Sequence, residues 1–201
     1  MKYNVIIADP PWKFDDKLQM SDVKRGAEAN YRGTLTVNDI ANLDVKSVVD
    51  DWAVLALWVP SSMLADGLLT MKNWGFTQKT TFVWGKITKN EKIVIGMGRL
   101  FRGSHEIALI GVSGKVYKHL ENKAQRTMSV EEFVDYESFD LAVNRRHSEK
   151  PPMLHEALEK MFPHAAKLEL FARQVRDGWT CLGNEIDGSD IRDSLITVCS
   201  T

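Results

Sequence analysis

The sequence predicts an α/β fold: a mainly parallel sheet with helices on both faces. Three observations predict it. Short apolar runs, stopped by proline or polar turns, alternate with stretches of helical periodicity. No linker, repeat or low-complexity stretch divides the 201 residues, so residues 1–201 are expected to form a single domain around one core. Apolar residues at 44% and charged residues at 26% are typical of a globular chain.

Val5-Ile6-Ile7-Ala8 is too short for a helix and is stopped by Asp9-Pro10-Pro11, which marks a buried strand. Thr36 with Asp39 resembles the cap of a helix that packs Ile40, Leu43 and Val48. Residues 54–59 form a second buried strand, ended by Pro60. Met63, Leu64, Gly67, Leu68 and Met71 mark one face of a helix that stops near Gly75. Residues 80–84 and 107–112 are two further strands joined by a long basic segment. Pro151 and Pro152 open a helix whose apolar face is Met153, Leu154, Ala157, Leu158, Met161 and Phe162. Residues 168–171 and 179–182 supply the last strands. Trp52, Trp58, Trp74 and Trp84 are assigned to the core, and the acidic stretch 131–140 to a solvated helix or loop.

No apolar run reaches the ~20 residues that span a bilayer, and no signal-peptide pattern opens the chain. Cys181 and Cys199 show neither CxxC spacing nor neighbouring His clusters, which points to a reducing, cytoplasmic setting and to no metal. The net charge of −1 is not that of a nonspecific nucleic-acid binder. Residues 86–126, however, hold nine Lys/Arg against three Glu, a local +6 that leaves −7 on the rest. Such a segment either focuses a polyanion onto one face or is a solvated loop, and charge alone does not decide.

In a parallel sheet ligands bind at the carboxyl ends of strands, and Asp9-Pro10-Pro11-Trp12 sits directly after the first strand. A carboxylate and a rigid proline carbonyl make two acceptors fit to hold an aromatic amine, whose lone pair is otherwise delocalised into its ring. Consecutive prolines fix those acceptors. A planar side chain beside them offers a face for a base taken out of its stack. Asp9, the Pro10 carbonyl and Trp12 suit methylation of an exocyclic amine, with Pro11 stiffening the turn. The alternative is a strand followed by a stiff proline turn and a core tryptophan.

Read together, the motifs resemble the MTA-70 (MT-A70) family of adenine-N6 methyltransferases along nearly the whole chain. Asp9-Pro10-Pro11-Trp12 matches its DPPW motif, Tyr31-Arg32-Gly33-Thr34 a Y-x-G-T-like element, and Leu57-Trp58-Val59 its L-W-V strand. Residues 96–106 resemble a gate loop beside the target base, and residues 147–151 match H-S-x-K-P. Residues 169–173, Gly178-Trp179 and Gly183-Asn184-Glu185 match E-L-F-A-R, G-W and G-N-E/Q. Each string is weak alone; their shared order is the strong signal.

The resemblance implies a class I S-adenosylmethionine-dependent methyltransferase (Rossmann-like) fold in circularly permuted order, the catalytic strand first and the cofactor-binding half last. It implies transfer of a methyl group from S-adenosylmethionine to the N6 of adenine in nucleic acid, DNA favoured over RNA. Asp9, Pro10, Pro11 and Trp12 are the expected catalytic residues. The cofactor is expected on Asp9, Lys150, Glu169, Arg173, Asn184 and Glu185, with Lys150 pairing its methionyl carboxylate and Asn184 and Glu185 its adenosine. The target is expected on Tyr31, Arg99, Arg102, His105 and Glu106. Residues 86–126 are expected to recognise the target unless a second copy or a partner subunit does. Gln174-Val175-Arg176 depart from the His and Asn that some relatives place against the ribose. Three rival readings remain: a noncatalytic nucleic-acid-binding partner subunit, a small-molecule or protein N-methyltransferase, and a nucleotide-binding reductase. Intact DPPW, Lys150 and Asn184 oppose the first, the basic stretch the second, and the missing G-x-G-x-x-G the third.

Overall fold

The computed structural model describes residues 1–13, 35–88, 90–96, 98, 100–132 and 150–200. The elements, in chain order, are β1 (Tyr3–Ala8), α1 (Val37–Ala41), β2 (Val49–Val59), α2 (Leu64–Asn73), β3 (Thr77–Ile87), β4 (His105–Ser113), β5 (Met128–Glu132), α3 (Met153–Met161), β6 (Lys167–Leu170), β7 (Thr180–Leu182), α4 (Asn184–Asp187) and α5 (Ile191–Ser200). Short 3-10 turns at Val45–Val48, Ser61–Met63 and Val116–Lys118 connect them. The seven strands form one sheet in the order β5-β3-β4-β2-β1-β6-β7. Four pairings are parallel, and β4 alone runs against its two neighbours. The first strand therefore lies inside the sheet between β2 and β6, with β7 outside β6, as the permuted order requires.

Side-chain alternation divides the core into two layers. Ile6, Ala8, Leu55, Leu57, Leu168 and Leu170 face one side, against Ile40 of α1, Met71 of α2 and Ile191 and Leu195 of α5. Val5, Ile7, Val54, Ala56, Trp58, Phe82 and Trp84 face the other, against Leu154 and Leu158 of α3. A one-residue slip would exchange the layers, so the apolar pattern on both faces pins the register. Helices on both faces follow from a sheet with no wet side.

Thr36 caps α1 as expected. Its hydroxyl accepts from the Asp39 N–H, and the Asp39 carboxylate accepts from the Thr36 N–H, each at 3.1 Å. On α2 the contact ridge differs from expectation. Gly67, Thr70 and Met71 are buried, whereas Leu64 and Leu68 are exposed. The cause is Gly67: a Cβ there would lie 2.8 Å from Val59 Cγ2, so the glycine lets the helix touch the sheet and rotates both leucines outward. Trp58, Trp74 and Trp84 lie in the core. Trp52 is only partly buried and stacks on His119, with 4.2 Å between ring centroids.

The basic stretch is not one surface. It comprises the end of β3, a loop over residues 88–104, the central strand β4, and a return over residues 114–127. Because β4 is reversed, Lys115 and Lys118 fall at the opposite end of the sheet from Asp9. Residues 131–132, expected in a solvated segment, close edge strand β5 beside β3; residues 133–140 lie outside the described residues.

Candidate active site

At the carboxyl end of the sheet, four ionisable side chains from four separate segments form one chain of alternating charge. Lys150, just ahead of α3, places Nζ 2.8 Å from Asp9 Oδ2 and 3.1 Å from Glu106 Oε2. The other oxygen of Glu106 accepts from Lys86 Nζ at 2.5 Å. Asp9 follows β1, Glu106 is the second residue of β4, and Lys86 is the penultimate residue of β3. The two ammonium groups also sit over tryptophan rings, Lys150 at 5.5 Å from the Trp58 centroid and Lys86 at 4.8 Å from Trp84. Side-chain exposures of 11–28% make these partly desolvated pairs, which hold geometry better than surface ion pairs do.

Burial alone would push the Glu106 carboxyl up, but Lys150 and Lys86 outweigh it and hold the group below the usual carboxylate range. A lowered folded pKa stabilises the fold above the unfolded value, and that contribution is lost as pH falls through the folded one. Denaturation midpoints measured against pH should therefore decline on acidification below the ordinary carboxylate range. Glu106→Gln should make that decline shallower; an unchanged slope would separate the pairing from stability.

The motif after β1 is rigid. Trp12 N–H donates to the Pro10 carbonyl at 2.8 Å, and Leu35 N–H donates to the Pro11 carbonyl at 3.1 Å. A carbonyl has two lone pairs, so Pro10 keeps one for a further donor. Trp12 itself departs from expectation. Its side chain is 4% exposed, and its indole N–H donates to the Trp58 carbonyl at 2.9 Å. An indole enclosed in the core and tied at its polar edge offers no open face, so Trp12 is the floor of the site and not a stacking platform.

The second half of the expected site lies one and two strands over. Phe171, after β6, has φ +64, a sparsely populated conformation for a residue with a Cβ. It turns the chain so that Arg173 Nε comes 3.8 Å from Glu185 Oε1 at the start of α4. Asn184 and Glu185 are both exposed. Gly183 ahead of them has an extended backbone, so it is space that demands glycine: a Cβ would lie 2.2 Å from the Ala172 carbonyl oxygen. Gly183→Ala should cost about 1–3 kcal/mol through backbone displacement, read as a denaturation midpoint. A wild-type midpoint would refute that packing.

Glu169 faces α3 from mid-strand. His155 Nε2 lies 3.0 Å from its Oε2, and Arg176 Nε approaches the same oxygen at 4.0 Å. That oxygen thus faces two basic side chains at ion-pair range without a hydrogen bond to either. His105 alternates away from Glu106 and pairs with Gly85. It lines a shallow apolar recess of about 280 Å³ with Val83, Ile93, Met128 and Val130, on the sheet face away from α3. His105 is therefore not brought to Asp9, and that recess is not the chemical site. Arg102 is exposed, with Nε donating to the Gly96 carbonyl at 2.6 Å. Tyr31 and Arg99, and the basic Lys89, lie outside the described residues. Lys86 went unsingled among the expected site residues because its pairing with Glu106 depends on the β3–β4 register, which the sequence does not display. The alternation Trp84-Gly85-Lys86, placing a cation beside a tryptophan on one strand face, is the signal that marks it.

The residues present suit S-adenosylmethionine by their chemistry. A cation (Lys150) and carboxylates (Asp9, Glu185) with an amide (Asn184) lie at the ends of adjacent strands β1, β6 and β7, beside the strained Phe171 turn. Among the described residues no His/Cys/Asp/Glu group is arranged to hold a metal, and no helix is long and apolar enough to cross a membrane.

The chain is similar to known methyltransferases. The MT-A70 family model matches residues 3–185. The Type II methyltransferase M.MunI of a Mycoplasma species is 32% identical over 205 residues, covering 94% of this chain and 80% of that protein. The N(6)-adenosine-methyltransferase MT-A70-like protein of Arabidopsis thaliana is 27% identical over 92% of this chain. The human N(6)-adenosine-methyltransferase catalytic subunit METTL3 is 26% identical over 96% of it. The chain spans only 24% and 30% of those two longer proteins.

Proposed function

The chain belongs to the MT-A70 family, and from that premise we propose that it transfers a methyl group from S-adenosylmethionine to the N6 of adenine in nucleic acid. The observation that carries the reading is the ion chain at the end of β1, which presents a carboxylate and a rigid carbonyl side by side. Asp9 Oδ2 is held by Lys150, and the Asp9 side chain with the second Pro10 lone pair accepts the two amino hydrogens of the base. This orients the nitrogen lone pair and stabilises the positive charge that grows on nitrogen. Bound S-adenosylmethionine supplies the electrophilic methyl; Lys150, Arg173, Asn184 and Glu185 are the residues that would hold it, with Glu169 contributing its remaining oxygen.

We read the polymer as DNA. The relative of which this chain spans 80% is named a Type II methyltransferase, while the two named N(6)-adenosine-methyltransferases are far longer and spanned to 24% and 30%. Labelled methyl transfer to duplex DNA, single-stranded DNA and RNA at equal adenine content tests the choice. Preference for RNA would reverse it, and transfer to none would refute the activity of the chain alone, leaving the noncatalytic-subunit reading. Arg102, on the exposed loop ahead of β4, is the proposed phosphate contact. Arg102→Ala should weaken nucleic-acid binding several-fold, with a shallower salt dependence and unchanged cofactor affinity. Loss of cofactor affinity instead would place Arg102 in the other half of the site.

A further inference from the structure

We propose that Lys86 is a positioning residue for this reaction, acting through Glu106 to set where Lys150 stands between Glu106 and Asp9. The inference rests on the functional reading above. Glu106 divides its oxygens between two cations, Oε1 on Lys86 and Oε2 on Lys150. Lys150 in turn divides its ammonium between Asp9 and Glu106, 2.8 and 3.1 Å from the two carboxylates respectively. With Lys86 gone, the whole charge of Glu106 would fall on Lys150 and draw it off the carboxylate that holds the amine. Lys86 is built for the task. Its side chain is 14% exposed, and its ammonium is fixed over the Trp84 ring on one side and on Glu106 on the other.

Of the charged groups on the elements around Glu106, among the described residues, those joined to it in the ion chain are Lys86 of β3, Lys150 ahead of α3 and Asp9 after β1. Farther along lie Glu131 of β5, paired with Lys86 across the sheet, and Glu156 of α3. The two nearest are the cations, so removing one of them leaves Glu106 easier to protonate.

Lys86→Met keeps the apolar stem and removes the charge. Its kcat is expected to fall on the order of tenfold, because a displaced Lys150 and Asp9 misplace the amine. The acidic limb of the kcat–pH profile is expected to move to higher pH, and Lys86→Arg to restore both. In a Glu106→Gln background Lys86→Met should add little, since the route through Glu106 is already cut. A merely structural lysine would lower the melting temperature without moving the limb. An unmoved limb, or fully additive effects in the cycle, overturns the proposal.

Titration of 13C-labelled glutamate carboxyls by NMR reads the same link without turnover. Glu106 should titrate at higher pH in Lys86→Met than in the wild type, and coincident curves refute the link. An inactive wild type would defeat the functional reading alone, and the NMR titration would still decide this one.

Discussion

Asp9→Asn is expected to leave the fold intact and to lower methyl transfer about 10²–10³-fold, the loss that follows removal of one preorganised charge-stabilising partner. The amide is nearly isosteric with the carboxylate, so β1, the proline turn and the Leu35 pairing need not move. What changes is charge. The amine gains a positive charge as its nitrogen attacks, and a neutral amide offsets that less than a carboxylate does. Its NH₂ group would also meet the Lys150 ammonium, now donor against donor where an ion pair of 2.8 Å stood. Single-turnover methyl transfer measures the effect. A variant within threefold of wild type would remove Asp9 from the chemistry.

Trp12→Ala is expected to destabilise the fold by about 3–5 kcal/mol, as a large aromatic lost from a core does. Trp12→Phe should cost about 1–3 kcal/mol, mainly because the Trp58 carbonyl loses the indole donor that reaches it at 2.9 Å. Denaturant titration of the two variants separates a floor from a platform. A platform would lose base binding and leave stability untouched. That second outcome would require the indole face to open, contrary to its 4% exposure.

The contrast between these two residues of one motif shows what was legible in the sequence. Asp9 could be placed because a charged residue directly after a fully apolar strand must emerge at the strand's carboxyl end, and that end is where α/β sheets work. Trp12 was misread because an aromatic beside a proline turn suits a platform and a core equally. Only the long-range bond to Trp58, 46 residues away, distinguishes them. The same limit applies elsewhere. The strands and the α1 cap were legible because their signals are local, periodicity and a Thr36/Asp39 pair three residues apart. The edge strand β5 and helix α5 were not, the first being short and acidic, the second burying only Ile191, Ser194 and Leu195. Glu106 and Lys150 were both singled out in the sequence but not as partners, since their contact joins a strand to the entry of a helix. His105 was grouped with Glu106 by adjacency, yet consecutive strand residues point to opposite faces. The basic segment was read as one surface because composition carries no direction; the reversal of β4 sends part of its charge to the far end of the sheet.

The central claim is that the carboxylate and carbonyl after β1 direct a methyl group onto the exocyclic nitrogen of adenine. It is tested most directly by incubating wild type and Asp9→Asn with labelled S-adenosylmethionine and nucleic acid, digesting to nucleosides, and identifying the methylated atom by mass analysis against standards. The account predicts N6-methylated adenine nucleoside with the wild type and a signal reduced at least a hundredfold with the variant. Methyl groups on a ring nitrogen or on another base, or equal N6 product from both proteins, would contradict it.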